Sequence, residues 1–162
     1  MRPRWALKNW TINPHTSAAT EASSLEGLTM NIERITTVGR RVSMGSISPS
    51  QEFAVVFEDD GESAHFYALN AFRNDRRILD VVNIYTVEQV SDCETPCKVR
   101  ISWSKDGSKV ILIIDEYPHA VFDFQEKQGY CRTNYPNIPR SESDSWRSDD
   151  HRWSDSVLQW FR

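Results

Sequence analysis

The chain has 162 residues, 39% of them hydrophobic, with a formal net charge of -4. That length allows one domain with a real core, and the acidic balance argues against nucleic acid, which needs a basic face. No apolar run approaches the length of a membrane span, and Val110 to Ile114, among the longest, is only five residues.

Mean hydropathy is low, -0.57. Six Trp and seven Phe offset it, because each aromatic side chain buries a large area. Residues 1–29 differ from the rest. Trp5 and Trp10 lie in a polar context, and Thr16 to Ser24 is small and hydroxyl-rich. This stretch reads as a disordered N-terminal extension, and residues 30–162 read as a single β-rich domain opening at Met30.

Ile32 to Val42 reads as a first strand and Gly45 to Gln51 as a loop. Phe53 to Glu58 is a strong strand, Glu58-Asp59-Asp60-Gly61-Glu62 a turn, and His65 to Leu69 the return. Asn70 to Arg77 is polar and basic, a loop or one short helical turn. Ile78 to Tyr85 fits strand or helix by spacing, and its Val and Ile content favours strand. Thr86 to Pro96 is a loop.

Cys97 to Phe124 carries the clearest pattern, three apolar runs separated by two turn signals, which is a meander. Val99, Ile101 and Trp103 alternate with polar residues, so this strand has one dry face. Asp106-Gly107 makes the first turn. Lys109 to Ile114 is apolar almost throughout, as a central strand covered on both faces would be. The second turn falls at Glu116-Tyr117-Pro118, before His119 to Phe124. Gln125 to Gly129 turns the chain, Tyr130 to Tyr135 is a short strand or an extended segment that stops at Pro136, and Ile138 to Asp150 is a polar surface loop. Ser154 can cap a terminal helix of Asp155 to Phe161, which would dock through Leu158 and Phe161. The fold class expected is mainly β: an antiparallel meander in a sandwich or open barrel, with a short C-terminal helix. The two Asp-Gly hairpins lie about one propeller blade apart, but no third or fourth copy follows, which excludes a propeller.

FAVVFEDDGESAHFYAL (Phe53 to Leu69), ISWSKDGSKVILIID (Ile101 to Asp115), HAVFDF (His119 to Phe124) and GYCRTNYP (Gly129 to Pro136) occur in this order. Together they resemble a bacterial family of small uncharacterised proteins, a domain of unknown function. The resemblance covers Met30 to the C-terminus. It implies a bacterial cytosolic protein and transfers no catalytic residue.

Three cysteines, Cys93, Cys97 and Cys131, make an odd count without a signal peptide, which points to a reducing, cytoplasmic setting. Cys93 and Cys97 lack the spacing of a zinc knuckle, so no metal is expected. Cys131 beside Arg132, with His119 and Asp123 nearby in sequence, suggests a thiol nucleophile. Such a site also needs a base in reach and an oxyanion hole, and no motif supplies them. There is no phosphate loop, dinucleotide fingerprint, HExxH or GxSxG, and hence no cofactor is expected. Glu58, Asp59, Asp60 and Glu62 concentrate charge at one hairpin tip. The function expected is a small cytosolic binding protein, with a toxin-neutralising immunity protein as the concrete case and a basic toxin domain as partner. The alternatives are an enzyme with a site around Cys131, Arg132 and His119, and a ligand-sensing β module.

Overall fold

The structure, a computed structural model, describes residues 31–71, 78–133, 146 and 150–162. The extension expected over residues 1–29 lies outside the described residues, as does nearly all of the loop expected over 138–150. Among the described residues nine strands form two antiparallel sheets, a sandwich. One sheet has the order β1-β6-β7-β8-β9 and the other β2-β3-β4-β5. The strands are β1 (Ile32–Thr36), β2 (Val42–Ile47), β3 (Phe53–Asp59), β4 (Ser63–Asn70), β5 (Ile78–Thr86), β6 (Cys97–Trp103), β7 (Lys109–Ile114), β8 (Tyr117–Asp123) and β9 (Gln128–Cys131).

The meander over Cys97 to Phe124 is found as β6-β7-β8, with β7 central in its sheet. In β6 burial alternates strictly, with Cys97, Val99, Ile101 and Trp103 inward. Phe57, Phe66, Ile101, Leu112 and Phe122 fill the space between the sheets. Phe66 stacks on Phe122 with ring centroids 5.1 Å apart, joining β4 to β8. Each such side chain contributes roughly 1.5–3 kcal/mol on burial. The Trp103 indole N–H donates to Ser46 Oγ at 2.9 Å, so its polar atom is satisfied across the sandwich.

Several boundaries differ from the sequence reading. The strand expected over Ile32 to Val42 ends at Thr36, and Val42 already opens a second strand. A turn over residues 37–41 separates the two, and the expected loop at Gly45 is the middle of β2. Small and hydroxyl residues hide this strand from pattern reading, yet Met44, Ser46 and Ser48 alternate inward. The β7–β8 turn is Asp115-Glu116, with φ of 50° and 63°. Positive φ at both positions is the type I′ hairpin signature, here made without glycine. The C-terminal element, Asp155–Phe161, is a 3-10 helix, and Ser154 makes no side-chain cap to its backbone. It docks by apolar contact on the outer face of β7 and β8, where Val157 packs with Ile111 and Val121 and is anchored more deeply than Leu158 or Phe161.

Beyond the core, β5 runs beside β9 at one seam between the sheets. Buried Asp80 of β5 meets His151 there, with His151 Nε2 2.9 and 3.0 Å from the two carboxylate oxygens. His151 reaches this place because its carbonyl accepts the Cys131 N–H at 2.9 Å, which lays residues 150–152 along β9.

Candidate functional site

Four connections gather at one end of the sandwich: the 37–41 turn, the 60–62 turn, the 86–96 segment and the Asp115-Glu116 turn. Their juxtaposition follows from register. Thr36 pairs with Cys97, and the Lys98 carbonyl accepts the Asp115 N–H at 2.9 Å. The Val87 N–H donates to the Glu62 carbonyl at 2.8 Å.

Asp59 ties this end together. The sequence reading puts it in a solvated hairpin tip, but Asp59 is the last residue of β3 and only 1% exposed. Its Oδ2 accepts the Gly39 N–H at 2.8 Å and the Tyr85 hydroxyl at 2.5 Å, and its Oδ1 accepts the Gly61 N–H at 2.8 Å. Two turns and one strand therefore converge on one carboxylate. Gly39 and Gly61 have φ of 86° and 98°, which lets both backbones present their N–H groups to it. Burial raises the Asp59 pKa, more than these hydrogen bonds lower it. Burial, and then the Asp59 charge, holds the Tyr85 hydroxyl well above its ordinary value.

Glu58 is also absent from the tip. It is 4% exposed and points to the other face of β3. There it stands opposite His65, which stands opposite Asn83, making a buried row across three strands. Burial lowers the His65 pKa to about 4, so the imidazole is neutral near pH 7. Sequence reading misses this row because its members are far apart in the chain. Only alternation along β3 and β4 links them. Asp60 is partly buried and accepts the Glu62 and Ser63 N–H groups at 2.8 and 2.9 Å. Of the four acids expected at the tip, Glu62 alone is exposed.

The 86–96 segment adds acids at the same end. Glu88, Asp92 and Glu94 are exposed, as are Asp115 and Glu116 on the neighbouring turn. Asp92 accepts the Thr95 hydroxyl at 2.8 Å, Asp115 accepts the Lys98 N–H at 2.9 Å, and Glu116 pairs with Lys98 and Arg100 at 3.5 and 3.4 Å. Glu62, Glu88 and Glu94 form no ion pair among the described residues. Exposed Arg40 and Arg41 are the cations of the 37–41 turn. The acidic content of 86–96 is visible in the sequence, but its place beside Glu62 depends on the fold.

The structure brings His119 and Arg132 together and turns Cys131 away from them. Arg132 Nε donates to the Pro118 carbonyl at 3.0 Å. Its guanidinium lies 4.6 Å from the Tyr117 ring and 4.1 Å from the Trp153 ring, and 3.8 Å from Asp155. These contacts fasten the C-terminal segment to β8 and β9. His119 sits at a bulge, where β7 pairs Leu112 with Ala120 and then Ile113 with Pro118. Burial, and secondarily the Arg132 charge, lowers its pKa to about 3. Cys131 packs in the inter-sheet core beside Thr133 Oγ1, at 3.4 Å. A buried thiol and a buried neutral imidazole on different surroundings present no nucleophile to solvent. Cys93, partly buried, lies 3.2 Å from the Val90 carbonyl. Among the described residues no three His, Cys, Asp or Glu side chains converge as a metal-binding group, and no helix is long and apolar enough to cross a membrane.

A family model described as an uncharacterized protein conserved in bacteria (DUF2251) matches residues 36–162. An uncharacterized protein of Haemophilus influenzae is 43% identical over 86 residues, which is 53% of this chain and 53% of that protein. The match therefore spans about half of each. No solved structure matches the chain.

Proposed function

The chain belongs to the bacterial family DUF2251, and we propose that it acts as a binding protein whose acidic loop end receives a basic protein partner. One observation carries this reading: Glu62, Glu88 and Glu94 stand exposed, in no ion pair among the described residues, on connections that converge at one end of the sandwich. Connections at the ends of a rigid sandwich are common recognition surfaces. Here buried Asp59 fixes the 37–41 and 60–62 turns before a partner arrives, which reduces the entropy lost on binding. Un-neutralised carboxylates at a rim speed encounter with a basic surface and disfavour acidic competitors. A toxin domain neutralised by a cytosolic immunity-type protein is the concrete case.

The test is capture from the native host at low salt, with wild type and Glu62→Lys/Glu88→Lys immobilised in parallel. A basic protein retained by wild type, released by added salt and lost from the variant supports the reading. Equal retention by both overturns it.

A further inference from the structure

We infer that β1 is a self-association edge, and that two copies of this chain pair antiparallel through Ile35. β1 is the end strand of its sheet and pairs only with β6 among the described residues. Glu33, Arg34 and Ile35 are exposed, and Ile35 at 62% is the large hydrophobic residue left most open among the described residues.

Backbone direction makes this edge usable. Lys98 uses both of its main-chain groups on the β7 side: its N–H donates to Asp115 Oδ1 and its carbonyl accepts the Asp115 N–H, each at 2.9 Å. Ile35 lies opposite Lys98. In an antiparallel ladder, pairs alternate between hydrogen-bonded and non-hydrogen-bonded. The Ile35–Lys98 pair is the second kind, so the Ile35 N–H and C=O point away from β6, toward the side of β1 that carries no strand among the described residues. The same alternation directs the Glu33 groups outward. Trp103 agrees with this parity, since its N–H points to the β1 side and donates to Asn31 Oδ1 at 2.9 Å.

Charge selects the register. A two-fold axis normal to the sheet must relate one residue to itself. Centred on Glu33 it opposes two carboxylates, and centred on Arg34 two guanidinium groups, and like charges directly opposite are destabilising. Centred on Ile35 it places Ile35 against Ile35 of the second copy, forms two N–H···O=C bonds between them, and covers both exposed side chains. Isologous contact of this kind closes at two copies. The contact is short, below the area of a standard stable interface, so the dimer is concentration-dependent.

Sedimentation of the full chain across a concentration series tests this. The mass rises from 18.8 kDa toward twice that value, and Ile35→Lys raises the dissociation constant by about tenfold or more while leaving the circular dichroism spectrum unchanged. Ile35→Cys gives an independent reading. Paired Cα atoms about 5.5 Å apart are within disulfide range, so mild oxidation yields a covalent dimer, whereas Glu126→Cys, exposed at the other end of the sandwich, stays monomeric. Wild type that remains monomeric throughout, an Ile35→Lys dimer as tight as wild type, or no selective Ile35→Cys cross-link overturns the inference. A complex formed only with a different protein overturns it as well.

Discussion

The Tyr85 hydroxyl donates to the Asp59 carboxylate at 2.5 Å inside the core, so a residue at a hairpin's end is held by a strand on the far side of its sheet. Asp59→Ala removes the acceptor for this hydroxyl and for the Gly39 and Gly61 N–H groups. It is expected to destabilise the protein by about 2–4 kcal/mol, because buried donors lose their partner. Tyr85→Phe removes one bond and leaves the others, so its loss is smaller. Urea unfolding of both variants checks the order. A neutral Asp59→Ala shows that this carboxylate does not organise the turns.

His65 and His119 set the expected acid response. Their folded-state pKa values, about 4 and about 3, lie below the ordinary 6.5. The stability they carry is therefore fully present above about pH 6.5 and is lost as pH falls through the folded values. The slope is on the order of 1 kcal/mol per pH unit for each histidine. Asp59, with a raised folded pKa, acts in the opposite sense: its contribution is largest below the unfolded carboxyl value and declines as pH rises through the folded one. Unfolding free energy measured from pH 7 to pH 4 should fall, and the fall should flatten in His65→Gln/His119→Gln. An equal slope in wild type and variant contradicts the assignment of neutral buried imidazoles.

At the seam, a Cβ added to Gly129 would lie 2.5 Å from Asp80 Oδ2 and 2.9 Å from His151 Cδ2. Gly129→Ala should therefore displace the Asp80–His151 pair, destabilising by about 1–3 kcal/mol. His151→Ala leaves Asp80 buried without this partner, for about 3–5 kcal/mol. Thermal unfolding ranks the two variants. Wild-type stability in His151→Ala would show that the C-terminal segment does not close the seam.

Much of the fold is legible in the sequence because β6, β7 and β8 carry strong alternation and Asp106-Gly107 marks a turn. β2 is not legible: Ser43, Gly45 and Ser46 carry no β signal, and inter-sheet packing of Met44 places the strand. The candidate site is read less well, for a physical reason. Near a hairpin, acidic side chains look alike whether they face solvent or close a turn. Glu58, Asp59, Asp60 and Glu62 are adjacent in the sequence, yet two are buried, one holds its own turn, and one reaches solvent. Glu88 and Glu94 join Glu62 only through the meeting of β5 and β6 connections with the β3–β4 turn.

Association kinetics of the captured basic partner at two salt concentrations report whether the acidic loop end is the docking surface. Wild type and Glu62→Lys/Glu88→Lys are compared, each with a melting curve. Both positions are exposed and unpaired among the described residues, so stability should change by no more than about 0.5 kcal/mol. The variant is expected to associate more slowly at low salt, with a smaller difference at high salt where the charges are screened. Equal association rates at both salts, with the fold intact, would contradict an acidic loop end as the binding surface.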